Sequence, residues 1–169
     1  MSIHLSRETD SALNREARKG GHEVGVIVVG VDFSEGAKAA LRFGLAEARL
    51  RHATLRVVHA WQFEYIGVSG LEGFYTAVEP DLRDVRQGAE AALDAILAET
   101  VPDEHEVDVS AVVVEGAAAA VLVAQSQDAE LLVVGSRGHG GFTGLLLGSV
   151  SQQCANHAAC PVVIIPHQR

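Results

Sequence analysis

The run "VGVIVVGVD", residues 24–32, is apolar and rich in β-branched residues, with no polar residue before its final aspartate. A strand with one wet face alternates polar and apolar positions, so an unbroken run predicts a strand buried on both faces of a parallel sheet. The period then changes. After Ser34, in "EGAKAALRFGLAEARLRH", Ala37, Ala40, Leu41, Leu45 and Ala48 recur at helical spacing. That pattern predicts a helix with an apolar stripe and with Ser34 as its N-cap, because a serine oxygen can accept from the first unpaired amides.

The same alternation continues along the chain. "ATLRVVHA" predicts a second strand, and residues 61–79 a long loop carrying the only tryptophan and both tyrosines. "PDLRDVRQGAEAALDAILAE" predicts a helix opened by Pro80, with a stripe of Val85, Ala89, Ala92, Leu93 and Ile96. "EVDVSAVVVE" predicts the third strand, "GAAAAVLVAQSQ" a short helix, "AELLVVG" the fourth strand, "SVSQQCANHA" the last helix and "CPVVIIP" the fifth strand. Strands separated by helices require right-handed crossovers, which predicts an α/β fold: one doubly wound parallel sheet with helices on both faces. The domain is expected over residues 24–169, after a polar N-terminal extension, 1–23, that shows little periodicity.

Composition agrees with one aliphatic core, since 48% of residues are hydrophobic and only 5% aromatic. The formal charge of −9 repels nucleic acid and anionic membrane surfaces, so neither is expected as a partner. The apolar runs are too short to span a bilayer and the polar start has no signal-peptide core, which predicts a cytoplasmic protein. Cys154 and Cys160 form neither a CxxC pair nor a staple framework, and are read as buried reduced thiols.

In doubly wound sheets ligands bind beyond the carboxyl ends of strands where strand order reverses. The loops after strands one and four carry the informative residues. Gly30 and Asp32 follow the first; Gly135, Gly138, Gly140, Gly141, Gly144 and Gly148 follow the fourth, ending at Ser149 where a helix starts. Glycine lets backbone N–H groups approach and turn toward one anion, and a helix N-terminus adds unpaired donors. Ser149 and Ser151 can cap that helix or donate to phosphate. Between Arg86 and Arg169 the chain holds ten acids and a single Lys or Arg, Arg137, inside this loop. A lone base in acidic surroundings points to a local anion; His139 beside it is a weaker pointer. There is no GxxxxGK[ST] loop, and no GxGxxG after the first strand, which disfavours Walker-type and dinucleotide-binding readings.

What fits is G-x2-G-x9-G-[ST], as Gly135, Gly138, Gly148 and Ser149. This resembles the nucleotide-binding pattern of the universal stress protein family in its ATP-binding form. "VGVDFSEGAKAAL", "VVHAW" and "GSVSQQCANHAACPVVII" resemble the family's first strand and helix, second strand, and closing helix and strand, so the resemblance covers residues 24–166. It implies strand order 3-2-1-4-5 and ATP across the two loops, with Mg that Asp32 would help to hold. Asp32 would meet the ribose or adenine edge above Gly30, and the backbone of Ala60 the adenine. Gly135, Ser136, Arg137, Gly138, His139, Gly140 and Gly141, with Gly148 and Ser149, would hold phosphates, Val150 and Ser151 adjoining. It also implies a homodimer through the last strand, Val162 to Ile165, and a stress-response role in which ATP occupancy alters conformation or signalling partners. The alternative is a weak ATP hydrolase or an adenylate-forming enzyme. Asp32, His139 and Glu115 are its candidate bases or metal ligands, but no pair has a spacing that chemistry requires. A dimeric protein with an empty site is disfavoured by the intact glycine pattern.

Overall fold

The computed structural model describes residues 24–62, 82–102, 106–138 and 146–166. The extension 1–23, most of the expected 61–79 loop, and Pro80 lie outside the described residues.

Among the described residues, nine strands and α-helices alternate as expected: β1 Val26–Gly30, α1 Glu35–Arg51, β2 Thr54–Trp61, α2 Leu82–Thr100, β3 Val109–Glu115, α3 Ala118–Gln125, β4 Leu131–Gly135, α4 Ser149–His157 and β5 Val162–Ile165. The five strands form one sheet in the order β3-β2-β1-β4-β5, and every pairing is parallel. Strand order therefore reverses between β1 and β4, which pair Ile27 with Leu131 and Val29 with Val133. The gap beyond these two strand ends is where the fold leaves room for a ligand.

Alternation along the strands divides the interior. Ile27 and Val29 of β1, Leu55 and Val57 of β2 and Val133 of β4 meet α1 and α2 on one face. Val28, Val58, Leu132 and Val134 meet α3 and α4 on the other. Two buried faces are why β1 and β4 read as continuous apolar runs. In α1, all five stripe residues are buried, Ala40, Leu41 and Ala48 completely. In α2 the buried positions lie toward the C-terminal half, at Leu93, Ile96, Leu97 and Thr100, while Val85, Ala89 and Ala92 are half-buried. Trp61 closes β2, paired with Glu115, rather than opening the loop that the polar and aromatic mixture after it predicts. The ladder to β3 continues one residue further than hydrophobicity shows.

Ser34 caps α1 as expected, its oxygen accepting from the Ala37 amide at 3.2 Å. Buried Ser126 is fully engaged: its hydroxyl donates to the Val123 carbonyl at 2.7 Å and accepts from the Ala159 amide at 2.8 Å. That pair ties the end of α3 to the turn between α4 and β5. No helix among the described residues is long and apolar enough to cross a membrane.

Candidate functional site

A cavity of about 460 Å³ opens at the carboxyl ends of β1 and β4, a size within the range of small-molecule sites. Its walls bring together Gly30 and Asp32 from the β1–α1 turn with Ala60 from β2. The β4–α4 segment contributes Gly135, Ser136, Arg137 and Gly138, and the start of α4 contributes Gly148, Ser149, Val150 and Ser151. These residues come from four separated stretches of sequence, and the strand order brings the strand ends that carry them together. His139, Gly140 and Gly141 lie outside the described residues.

Asp32 serves two masters. Its Oδ1 accepts from the Ser34 hydroxyl at 2.6 Å and from the Ser34 amide at 3.2 Å, which shapes the turn into α1. Its Oδ2 stands where a side chain on Gly138 would have to go. The carboxylate and the glycine loop are therefore in contact, and only a residue without Cβ lets them meet.

The other glycines have different reasons. A Cβ on Gly135 would come within 3.1 Å of the Gly36 backbone, so that glycine lets the end of β4 pack on the start of α1. On Gly30 it would meet the Leu122 side chain at 2.6 Å, so Gly30 admits α3 to the cavity wall. Gly148 is open by comparison, with its nearest neighbour, the Ser136 carbonyl, 3.4 Å from the Cβ position.

The base of the loop is closed by hydrogen bonds. The Ser136 carbonyl accepts from the Gly148 amide at 2.7 Å and from the Ser151 hydroxyl at 3.0 Å, while the Ser136 amide donates to the Ile165 carbonyl at 2.7 Å. The Ser151 hydroxyl also faces the Gly148 carbonyl at 3.0 Å, so its hydrogen is committed to the loop base. Neither serine caps α4. Gly148 occupies the cap position and, having no side chain, makes no cap bond, while Ser149 and Ser151 already lie inside the first turn. That turn lines the cavity, and the first amides of a helix have no intrahelical acceptor.

Arg137 and Asp32 are the only charged side chains lining the cavity among the described residues. The Arg137 Nε is buried and has no hydrogen-bond partner among the described residues. A buried cationic donor in that condition suits an anion supplied from outside the chain. With Gly138 lining the same cavity, this chemistry suits a phosphate-bearing ligand. Glu115 is elsewhere: it lines a second depression with Trp61, Arg83 and Arg86, away from Asp32. Among the described residues, no three His, Cys, Asp or Glu side chains gather as a metal site.

Sequence reasoning did not name Val31, Ala37, Val58, Ala118, Leu122, Val134 or Leu147 as part of this wall. Val58 was accessible to it, since it shares a strand face with Ala60. Ala118 and Leu122 were not, because only tertiary packing carries α3 across Gly30.

A family model described as the universal stress protein family matches residues 23–166. The chain belongs to the universal stress protein family. A universal stress protein of Mycobacterium tuberculosis is 39% identical over 139 residues, covering 82% of this chain and 44% of that protein. The chain thus spans less than half the length of the curated relatives it matches. Among solved structures, a universal stress protein family protein from Arabidopsis thaliana with AMP bound is 25% identical with a TM-score of 0.53, over 85% of this chain and 92% of that one. A universal stress protein in complex with cAMP shares the fold at 23% identity and a TM-score of 0.61, over 85% and 97% of the two chains.

Proposed function

We propose that this universal stress protein binds an adenine nucleotide, ATP with Mg, in the cavity between the β1–α1 turn and the β4–α4 loop, and that occupancy regulates its conformation or its partners. The observation that carries the reading is the buried Arg137 Nε, without a partner among the described residues, beside the uncapped first turn of α4. Phosphate oxygens would satisfy both. A relative that binds AMP on the same fold supports the choice of an adenine nucleotide. Asp32 and Gly30 then lie at the nucleoside end with Ala60, and Arg137, Gly138, Gly148 and Ser149 at the phosphates. His139, Gly140 and Gly141 complete the phosphate loop in this proposal.

Mg would supply charge neutralisation, since a triphosphate carries several negative charges and the lining offers one guanidinium next to one carboxylate. In this proposal Asp32, the one carboxylate in the lining, would hold it. The proposal stops at binding with at most slow hydrolysis, because Glu115, one of the candidate bases, faces a different depression. Ligand binding alone suffices to shift stability and conformation. A homodimer through β5 and a cytoplasmic location belong to the same proposal.

Small molecules released from the purified protein by denaturation and identified by mass spectrometry test the reading. Adenine nucleotide at up to one equivalent per chain supports it. An empty protein whose melting temperature does not move with ATP, ADP, AMP or cAMP, with and without Mg, contradicts it. Single-turnover release of phosphate separates binder from hydrolase.

A further inference from the structure

His59 lies between Val58 and Ala60, both of which line the cavity, so strand alternation turns its side chain to the opposite face of the sheet. There its Nδ1 is 2.9 Å from the Val31 carbonyl oxygen. A carbonyl can only accept, so Nδ1 carries the hydrogen and the tautomer is set. The Val31 amide in turn donates to the Val58 carbonyl at 2.9 Å. Both backbone groups of Val31 are therefore held by two adjacent residues of β2.

The residue after Val31 is Asp32, and the one after that is Phe33, with φ of 64°. An aromatic residue in the left-handed region is disfavoured and persists only where its surroundings fix it. The Phe33 ring packs on the imidazole of His59, centroids 4.4 Å apart and planes at 44°. His59 thus grips the turn on both sides of Asp32, by a hydrogen bond before it and a ring contact after it. Asp32 itself lines the cavity, where its Oδ2 abuts Gly138.

We propose that His59 is a positioning residue for the nucleotide site: from the face of the sheet opposite the cavity, it holds the β1–α1 turn so that the Asp32 carboxylate meets the nucleoside end of the ligand. This rests on the nucleotide reading above and assigns a role to a residue that touches no ligand. It makes selectivity for the nucleoside depend on a hydrogen bond outside the cavity.

The test uses His59→Phe, which keeps a ring against Phe33 but has no N–H, and His59→Asn, whose amide nitrogen can reach the Nδ1 position. His59→Phe is expected to weaken adenosine and AMP about tenfold, the effect of one directed hydrogen bond. Tripolyphosphate, which probes only the phosphate end, should bind as to the unaltered protein. His59→Asn should recover most of the loss. In an Asp32→Ala background His59→Phe should cost nothing further, since its effect passes through Asp32. Equal loss for adenosine and tripolyphosphate, or an undiminished loss in the Asp32→Ala background, overturns the proposal. Nitrogen NMR of the imidazole gives a readout that needs no ligand: hydrogen on Nδ1 supports the clamp, and the Nε2–H tautomer contradicts it. Failure of the unaltered protein to bind any adenine nucleotide would instead remove the function on which the clamp rests.

Discussion

At the scale of single residues, the glycines of the β4–α4 segment separate into backbone packing and ligand approach. Gly135 packs against the Gly36 backbone, which cannot retreat, so Gly135→Ala should destabilise the fold. Gly138 faces a carboxylate at the end of a side chain, so Gly138→Val should displace Asp32 from the cavity and abolish nucleotide binding while the protein stays folded. Gly148→Ala has room within the protein and should lower the melting temperature less than Gly135→Ala, by no more than the loss of a favourable cap residue. Circular dichroism melts and nucleotide titrations on the three variants test the division; a folded Gly138→Val that still binds would contradict it. None of these roles was legible beyond the shared G-x2-G-x9-G pattern. Spacing shows that glycine is required, but the atom that requires it comes from Gly36 or Asp32, about a hundred residues away in sequence, brought there by the sheet order.

At the scale of elements, hydrophobic period made all five strands and four helices readable, because each element buries a face whose repeat is its own geometry. What period could not show was the end of each element. Trp61 belongs to β2 because β3 continues beside it, and the start of α4 falls one residue after its glycine cap, so the expected serine cap is absent. At α1 the cap was legible, and it is coupled to the site. Ser34→Ala removes both the acceptor for Ala37 and the 2.6 Å donor to Asp32. It should lower stability by about 1 kcal/mol, or roughly 2–4 °C in melting temperature for a chain of this size. It should also weaken nucleotide binding; a shift in stability alone would separate the cap from the site.

The last helix carries a second, independent check. Cys154 is fully buried, and burial pushes its thiol above the ordinary value of 9.0. A raised folded-state value means that the native protein holds this proton more tightly than the unfolded chain. The corresponding stability is present below about 9 and declines as pH rises beyond it. Cys160, half-buried rather than buried as expected, is shifted the same way, chiefly by its partial burial. At pH 7.5 iodoacetamide should therefore leave Cys154 unmodified in the native protein and alkylate it after unfolding. Rapid native alkylation at Cys154 would show that α4 opens from the sheet.

At the scale of the whole molecule, β5 is an edge strand. The Pro161 and Ile165 carbonyls accept from Leu132 and Ser136 of the β4 segment. By the alternation of a parallel ladder, Val162 and Ile164 then present their backbone groups outward. An apolar edge of this kind invites pairing, which is the physical basis for the proposed homodimer. Ile164→Pro should remove an outward donor, spare the bonds to β4 and yield a monomer by sedimentation. If the unaltered protein is itself monomeric, the dimer proposal fails.

The central claim, that Arg137, Gly138 and the first turn of α4 form a nucleotide site against Asp32, is tested most directly by isothermal titration of ATP with Mg into the unaltered protein and Gly138→Val. The account predicts one site per chain in the first and no binding heat in the second, with matching circular dichroism spectra. Absence of binding to the unaltered protein, after any co-purified nucleotide has been removed, or equal binding to both, would contradict it.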